Sequence, residues 1–140
     1  MRSLLDSNLL IALLDGDHNF HSQAFAWFES HHAKGWASCA LTENAVLRII
    51  PYSNYSINRR FNLPSLAPGL SRLIDHTFWP CDLSITDTTR FPQDQILGPK
   101  QLTGVYLLGL AAINGKLVTF DSRISITAVI GAAKHNLEIL

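Results

Sequence analysis

Residues 101–122 read QLTGVYLLGLAAINGKLVTFDS. Val105, Leu107, Leu108 and Ala111 recur at helical spacing and predict a helix over residues 100–114. The NG step ends it, because a glycine after the last helical turn accepts backbone conformations that other residues resist. The apolar run 117–120 then predicts a short buried strand, and that strand stops on a carboxylate, Asp121. Helix, tight turn, buried strand and acid form the repeating unit of a parallel α/β sheet, whose strands are covered on both faces. Gly104 stands in the first turn of the helix, where it costs up to about 1 kcal/mol against alanine and offers no capping side chain.

The same unit recurs in both directions along the chain. Residues 2–5 predict a strand ending on Asp6, and SNLLIALL follows as a helix with Ser7 or Asn8 as its cap. A second helix is expected over 20–34 and ends at Gly35. A strand follows in WASCA, 36–40, and then a helix capped by Thr42 with Glu43 in its first turn. Pro51 ends or kinks that helix. Leu66, Leu70, Leu73 and Ile74 predict a further helix over 64–78, and an edge strand is expected around 79–84, where Pro80 removes one ladder donor. The stretch 86–98 reads as a polar loop. A short helix over 125–134 and a last strand in LEIL close the pattern. The expected architecture is therefore a single three-layer α/β/α domain spanning 1–140, with a mainly parallel central sheet.

Composition narrows the function. The 140 residues are 47% hydrophobic and 16% charged, which specifies a globular chain. Eleven basic and eleven acidic side chains cancel, so no global field draws nucleic acid, and any such binding needs a local patch or a bound cation. Arg48, Arg59, Arg60, Arg72 and Arg90 are the pool for a phosphate-binding patch. Cys39 and Cys81 are too few for a disulfide framework and read as two core-side thiols in a reducing compartment. The six histidines lack the i, i+4 spacing of a zinc helix. No apolar run approaches the roughly 20 residues that span a bilayer, and no signal peptide is visible, so a cytoplasmic protein without a membrane partner is expected.

Asp6, Glu43 and Asp121 each lie at a strand end or in the helical turn just after one. A parallel sheet gathers such positions along its carboxyl edge, where α/β proteins bind ligands. Carboxylates gathered there repel one another unless a cation neutralises them. An oxygen-only cluster suits a hard ion, Mg²⁺ or Mn²⁺, and the matching chemistry is hydrolysis of a phosphate ester by an activated water. Asn8 and Ser7 can orient Asp6, although helix capping is the plainer role. Asp82, Asp87 and Asp94 read as solvated loop acids.

LLDSNLLIALL at the start, LTENAVLRII after a strand, and LTGVYLLGLAAINGKLVTFDSRI near the end resemble the PIN-domain ribonucleases, and within them the VapC-type toxins of bacterial toxin–antitoxin pairs. The resemblance covers nearly the whole chain, with the motifs in the expected order. It implies a PIN-like fold, a Mg²⁺- or Mn²⁺-dependent endoribonuclease, an RNA substrate, a cognate antitoxin and a homodimer built on the helices that start near Glu43 and Gln101. It places Asp6, Glu43 and Asp121 among the family's four acids as catalytic residues, with Asp6 and Asp121 as metal ligands and Thr119 in support. The third acid falls on Gly104, so its carboxylate is missing and impaired activity is expected. The groove for an antitoxin segment is expected beside Phe25, Trp27 and Phe28, which read equally well as core. The other expectation is a non-catalytic PIN-like protein that retains antitoxin or RNA binding. A phosphohydrolase with Asp6 as nucleophile lacks the proton-donating acid two residues later, where Asn8 stands, and a receiver domain needs its acceptor Asp in mid-chain.

Overall fold

Strand residues that are apolar on both faces demand cover on both sides, and this chain supplies it. A computed structural model describes residues 1–52 and 63–140. Five strands are found among them: β1 Arg2–Leu5, β2 Trp36–Cys39, β3 His76–Trp79, β4 Gly115–Thr119 and β5 Leu137–Ile139. They form one parallel sheet in the order β3-β2-β1-β4-β5. The helices are α1 Ser7–Leu14, α2 His21–His31, α3 Ala40–Ile49, α4 Leu63–Ser71 and α5 Leu102–Asn114.

The two-residue period of the strands divides the interior in two. Leu4, Ala37, Cys39 and Leu117 face α5 and pack with Val105, Leu108 and Ala111. Leu5, Trp36 and Val118 face the other way, into a cluster with Leu9 and Leu10 of α1, Trp27 and Phe28 of α2 and Val46 of α3. The three-layer α/β/α expectation holds, and the sheet is wholly parallel among the described residues. No helix among those residues is long and apolar enough to cross a membrane.

Several boundaries differ from the sequence expectation. The helix expected over 64–78 ends at Ser71, because Asp75 adopts a left-handed backbone (φ 63°) and its carbonyl accepts from the Trp36 amide to start the strand pairing. β3 consequently begins at His76, before the expected 79–84 segment. Cys39 caps α3, with Thr42 three residues inside accepting from the Cys39 amide. The helix expected over 125–134 is two separate single turns of 3-10 helix, Ile126–Ala128 and Lys134–Asn136. Cys39 is buried, but Cys81 is exposed rather than core-side. Arg59 and Arg60 lie outside the described residues.

The 86–98 segment is the expected loop, with one turn of 3-10 helix at Gln93–Gln95, yet it adds a ring to the core. Phe91 is fully buried and stacks on Tyr106, the ring centroids 6.1 Å apart. Its ring edge passes over Gly109 in α5: a methyl group there would lie 2.4 Å from Phe91 Cζ. Gly109→Ala therefore destabilises the protein by about 1–3 kcal/mol through overpacking, despite alanine's better helix propensity. Urea denaturation of the variant measures this directly.

Candidate active site at the carboxyl edge of the sheet

From β1 the chain proceeds to β2 on one side, whereas the connection from β3 crosses to β4 on the other. Strand order thus reverses between β1 and β4, and the crevice of a parallel sheet opens beyond the carboxyl ends of such a pair. Asp6 immediately follows β1, and Asp121 follows β4 by two residues.

Asp6 is itself the cap of α1, in place of the expected Ser7 or Asn8. Its backbone is extended (φ −64°, ψ 155°), its amide donates to the Val118 carbonyl at 3.0 Å, and its carbonyl accepts from Leu9 and Leu10. Oδ1 accepts from the Ser7 amide at 2.6 Å, and Oδ2 accepts from the Thr119 hydroxyl at 2.7 Å. The Thr119 hydroxyl also accepts from the Asp121 amide at 3.0 Å and from Asn8 Nδ2 at 3.1 Å, while Asn8 Oδ1 accepts from the Phe120 amide. One fully buried hydroxyl thereby ties both strand ends together. Asn8, relieved of capping, supports that hydroxyl.

The two carboxylates lie in opposite electrostatic settings. Burial pushes Asp6 above the ordinary carboxylate value, against the donors from Thr119 and Ser7, and the nearby Asp121 charge adds to the rise. The Arg123 side chain holds Asp121 below its ordinary value. Arg123 Nε reaches Asp121 Oδ1 at 2.9 Å and Nη2 reaches Oδ2 at 3.0 Å, and the Arg123 amide also donates to Oδ1.

Glu43 keeps other company. It stands half-buried in the first turn of α3 and accepts from the buried Ser38 hydroxyl at 2.5 Å, and Ser38 Oγ lies 2.7 Å from His76 Nε2. Ser38 has a single proton, so donating it to Glu43 requires His76 to carry its own proton on Nε2 and donate to Ser38. Burial lowers the His76 pKa, with the Glu43 charge opposing and Arg2 reinforcing. The structure thus joins Asp6, Asp121, Thr119 and Asn8 in one hydrogen-bonded set and gives Glu43 separate partners. Among the described residues no three His, Cys, Asp or Glu side chains gather closely enough to hold a metal ion.

Gly104 lies in the first turn of α5, half-buried. A methyl group added there would meet Ile124, at 2.7 Å from Cδ1 and 2.9 Å from Cγ1. Trp27 and Phe28 are buried, and Phe25 is exposed. Arg48 and Arg72 are exposed and Arg90 is half-buried. Between the starts of α3 and α5 runs an open apolar groove of about 480 Å³ lined by Leu41, Cys81, Leu83, Leu102 and Tyr106. Sequence reasoning did not single out Ser38, His76, Arg123 or Ile124. The step DSR did carry a signal for Arg123, since an aspartate commonly accepts from the amide two residues on.

No family model matches the chain. Curated relatives do. Ribonuclease VapC44 of Mycobacterium tuberculosis is 43% identical over 145 residues, covering 100% of both chains. Ribonuclease VapC39 of the same organism is 35% identical over 136 residues, covering 94% of this chain and 96% of its own. Ribonuclease VapC29, also from that organism, is 33% identical over 123 residues, covering 87% of each.

Proposed function

The chain belongs to the VapC ribonucleases, and from that membership we propose that it is an endoribonuclease toxin whose own catalytic site is impaired. RNA is the substrate, hydrolysed at phosphodiester bonds, and a cognate antitoxin is the controlling partner. The observation that carries the site is the Thr119 hydroxyl, which bonds to both Asp6 and the Asp121 amide where the strand order reverses.

The donor set fits a hard divalent ion, Mg²⁺ or Mn²⁺, because both side chains offer only carboxylate oxygen. Mg²⁺ commonly takes just one or two carboxylates and retains several waters. Asp6 and Asp121 would hold it, and such an ion supplies an activated water and positive charge for the departing oxygen. Burial already penalises an uncompensated charge on Asp6, so a cation beside it is favoured. Asp121 has to relinquish part of its Arg123 contact to serve as a ligand. Freed from that contact, the Arg123 guanidinium is suited to an RNA phosphate, since its planar fork matches phosphate oxygens as it does carboxylate. Glu43 is assigned as the remaining catalytic acid, oriented by Ser38. Gly104 contributes no oxygen, and loss of one ligand removes several kcal/mol of transition-state stabilisation.

We assign residues 1–140 to one domain acting in the cytoplasm. The apolar groove at the starts of α3 and α5, with Leu41 41% and Leu102 38% exposed, suits a homodimer contact. The exposed Phe25 suits an antitoxin segment.

The test is cleavage of pooled structured RNA by the full chain, with Mg²⁺ or with EDTA, beside Asp6→Asn. Slow cleavage is expected, lost both in EDTA and in the variant; cleavage indifferent to both refutes the assignment. The Ile124 side chain in place of an acid favours a second reading, a protein that binds antitoxin or RNA without cutting. Tight binding with no cleavage at any Mg²⁺ or Mn²⁺ concentration selects it.

A further inference from the structure

We propose that Ile124 closes the position of the missing acid, so that returning a carboxylate to residue 104 does not by itself rebuild the ion site. The inference rests on the reading of Gly104 as the third acid's position. It goes beyond that reading by naming a second side chain that has taken over the space.

Three features hold Ile124 in place. The Arg123 amide and guanidinium both bind Asp121, which fixes the turn from which Ile124 emerges. Ile124 is only 6% exposed and belongs to the core cluster that includes Val105 and Leu108 of α5. The contact at residue 104 also involves two atoms with different freedom. Rotation about χ2 moves Cδ1, 2.7 Å from the added carbon, but leaves Cγ1 where it is, at 2.9 Å. Moving Cγ1 requires a χ1 change in a β-branched side chain, which has few alternative rotamers and here is packed in the core cluster. Glycine at 104 and isoleucine at 124 are thus a matched pair, one lacking the atoms that the other displaces.

Two measurements test this, one of which involves no metal and no RNA. Denaturation midpoints are compared for the unmodified chain, Gly104→Ala, Ile124→Ala and the double variant. Gly104→Ala lowers the midpoint when Ile124 is present and raises it in the Ile124→Ala background, because only helix propensity then remains. A rise on both backgrounds overturns the inference. Should Ile124→Ala fail to fold, Ile124→Val removes the nearer atom, Cδ1, and must reduce the cost of Gly104→Ala; an undiminished cost overturns the inference. In the second measurement, Mn²⁺ binding is followed by loss of the free-ion electron paramagnetic resonance signal. Gly104→Asp stays within about threefold of the unmodified affinity, whereas Gly104→Asp with Ile124→Ala binds at least about tenfold tighter, a difference of about 1.4 kcal/mol. A tenfold gain from Gly104→Asp alone overturns the inference. If the stability sign reverses but the double variant gains no Mn²⁺ affinity, Ile124 still fills the position and it is the metal-site reading that fails.

Discussion

Thr119→Val is expected to lower stability by about 3–5 kcal/mol, although it changes the shape of the side chain hardly at all. Thr119 is fully buried, and its hydroxyl donates to Asp6 Oδ2 while accepting from the Asp121 amide and Asn8. Valine fills the same volume, so no cavity forms. What it leaves behind is a buried carboxylate oxygen and a backbone N–H without their partner, and each such group costs about 1–3 kcal/mol. Thr119→Ser, which keeps the hydroxyl and loses a methyl, should cost only about 1 kcal/mol. Guanidinium denaturation distinguishes the two; equal losses would show that packing rather than hydrogen bonding sets the value.

The same variant carries a pH signature. Asp6 lies above its ordinary value in the folded chain, chiefly through burial, and the Thr119 hydroxyl opposes that rise. Between the unfolded value, about 3.9, and the folded one, the native state holds a proton that the unfolded state lacks. Stability therefore falls as pH rises through that window, and the whole penalty is present above it. Without the hydroxyl, Asp6 rises further, so the deficit of Thr119→Val is greatest near neutrality and narrows as pH falls through the folded value. Asp121 behaves in the opposite sense, being held low by Arg123, and loses its contribution only below the ordinary value. Because Arg123 is unchanged in the variant, that contribution cancels from the comparison.

How much of this was legible in the sequence depends on the kind of interaction. The two strand ends bearing acids were readable because apolar period and carboxylate are local, and Asp6 and Asp121 follow directly. The PIN-like fold and ribonuclease family followed from those motifs. The start of β3 was not readable: its positions 76 and 77 are His and Thr, and the strand is created by the Asp75 turn and by pairing with Trp36. Leu73 and Ile74 keep helical spacing, yet Ile74 is 62% exposed, so spacing there reported no buried face. The bond from Ser38 to Glu43 spans five residues and that from Ser38 to His76 spans 38, so the full chain of bonds exists only once β2 and β3 are paired. Ile124 against Gly104 is of the same kind. A missing side chain is visible in sequence, but what fills its place is a property of packing.

Gly115→Ala is expected to have the largest effect of any single methyl group added to this chain. Gly115 opens β4 opposite Arg2 of β1, and a Cβ there would lie 2.0 Å from the Arg2 carbonyl oxygen and 3.0 Å from its carbonyl carbon. Those are backbone atoms, so no rotamer change relieves the contact; β1 and β4 have to separate or slip. Neither is available cheaply. β1 is the central strand, paired with β2 on its far side, and the Gly115 carbonyl is itself fixed by Asn136 Nδ2 at 2.8 Å. A slip by one residue would turn the side chains of Leu117 and Val118 to the wrong faces of the sheet. The expected loss is about 4–5 kcal/mol, at the extreme of single substitutions, or a fall in melting temperature of roughly 15 °C. Gly69→Ala is the control, since nothing lies within 4 Å of a methyl group at that helical position and the melting temperature should hold or rise. The same register places Val118 beside Leu5, and with it Thr119 beneath Asp6. Any folded Gly115→Ala protein should therefore lose the bond between Thr119 and Asp6 as well. A Gly115→Ala chain that melts within a few degrees of the unmodified one would show that β1 and β4 are not held at this spacing, and the pairing of the strand ends that carry Asp6 and Asp121 would lose its basis.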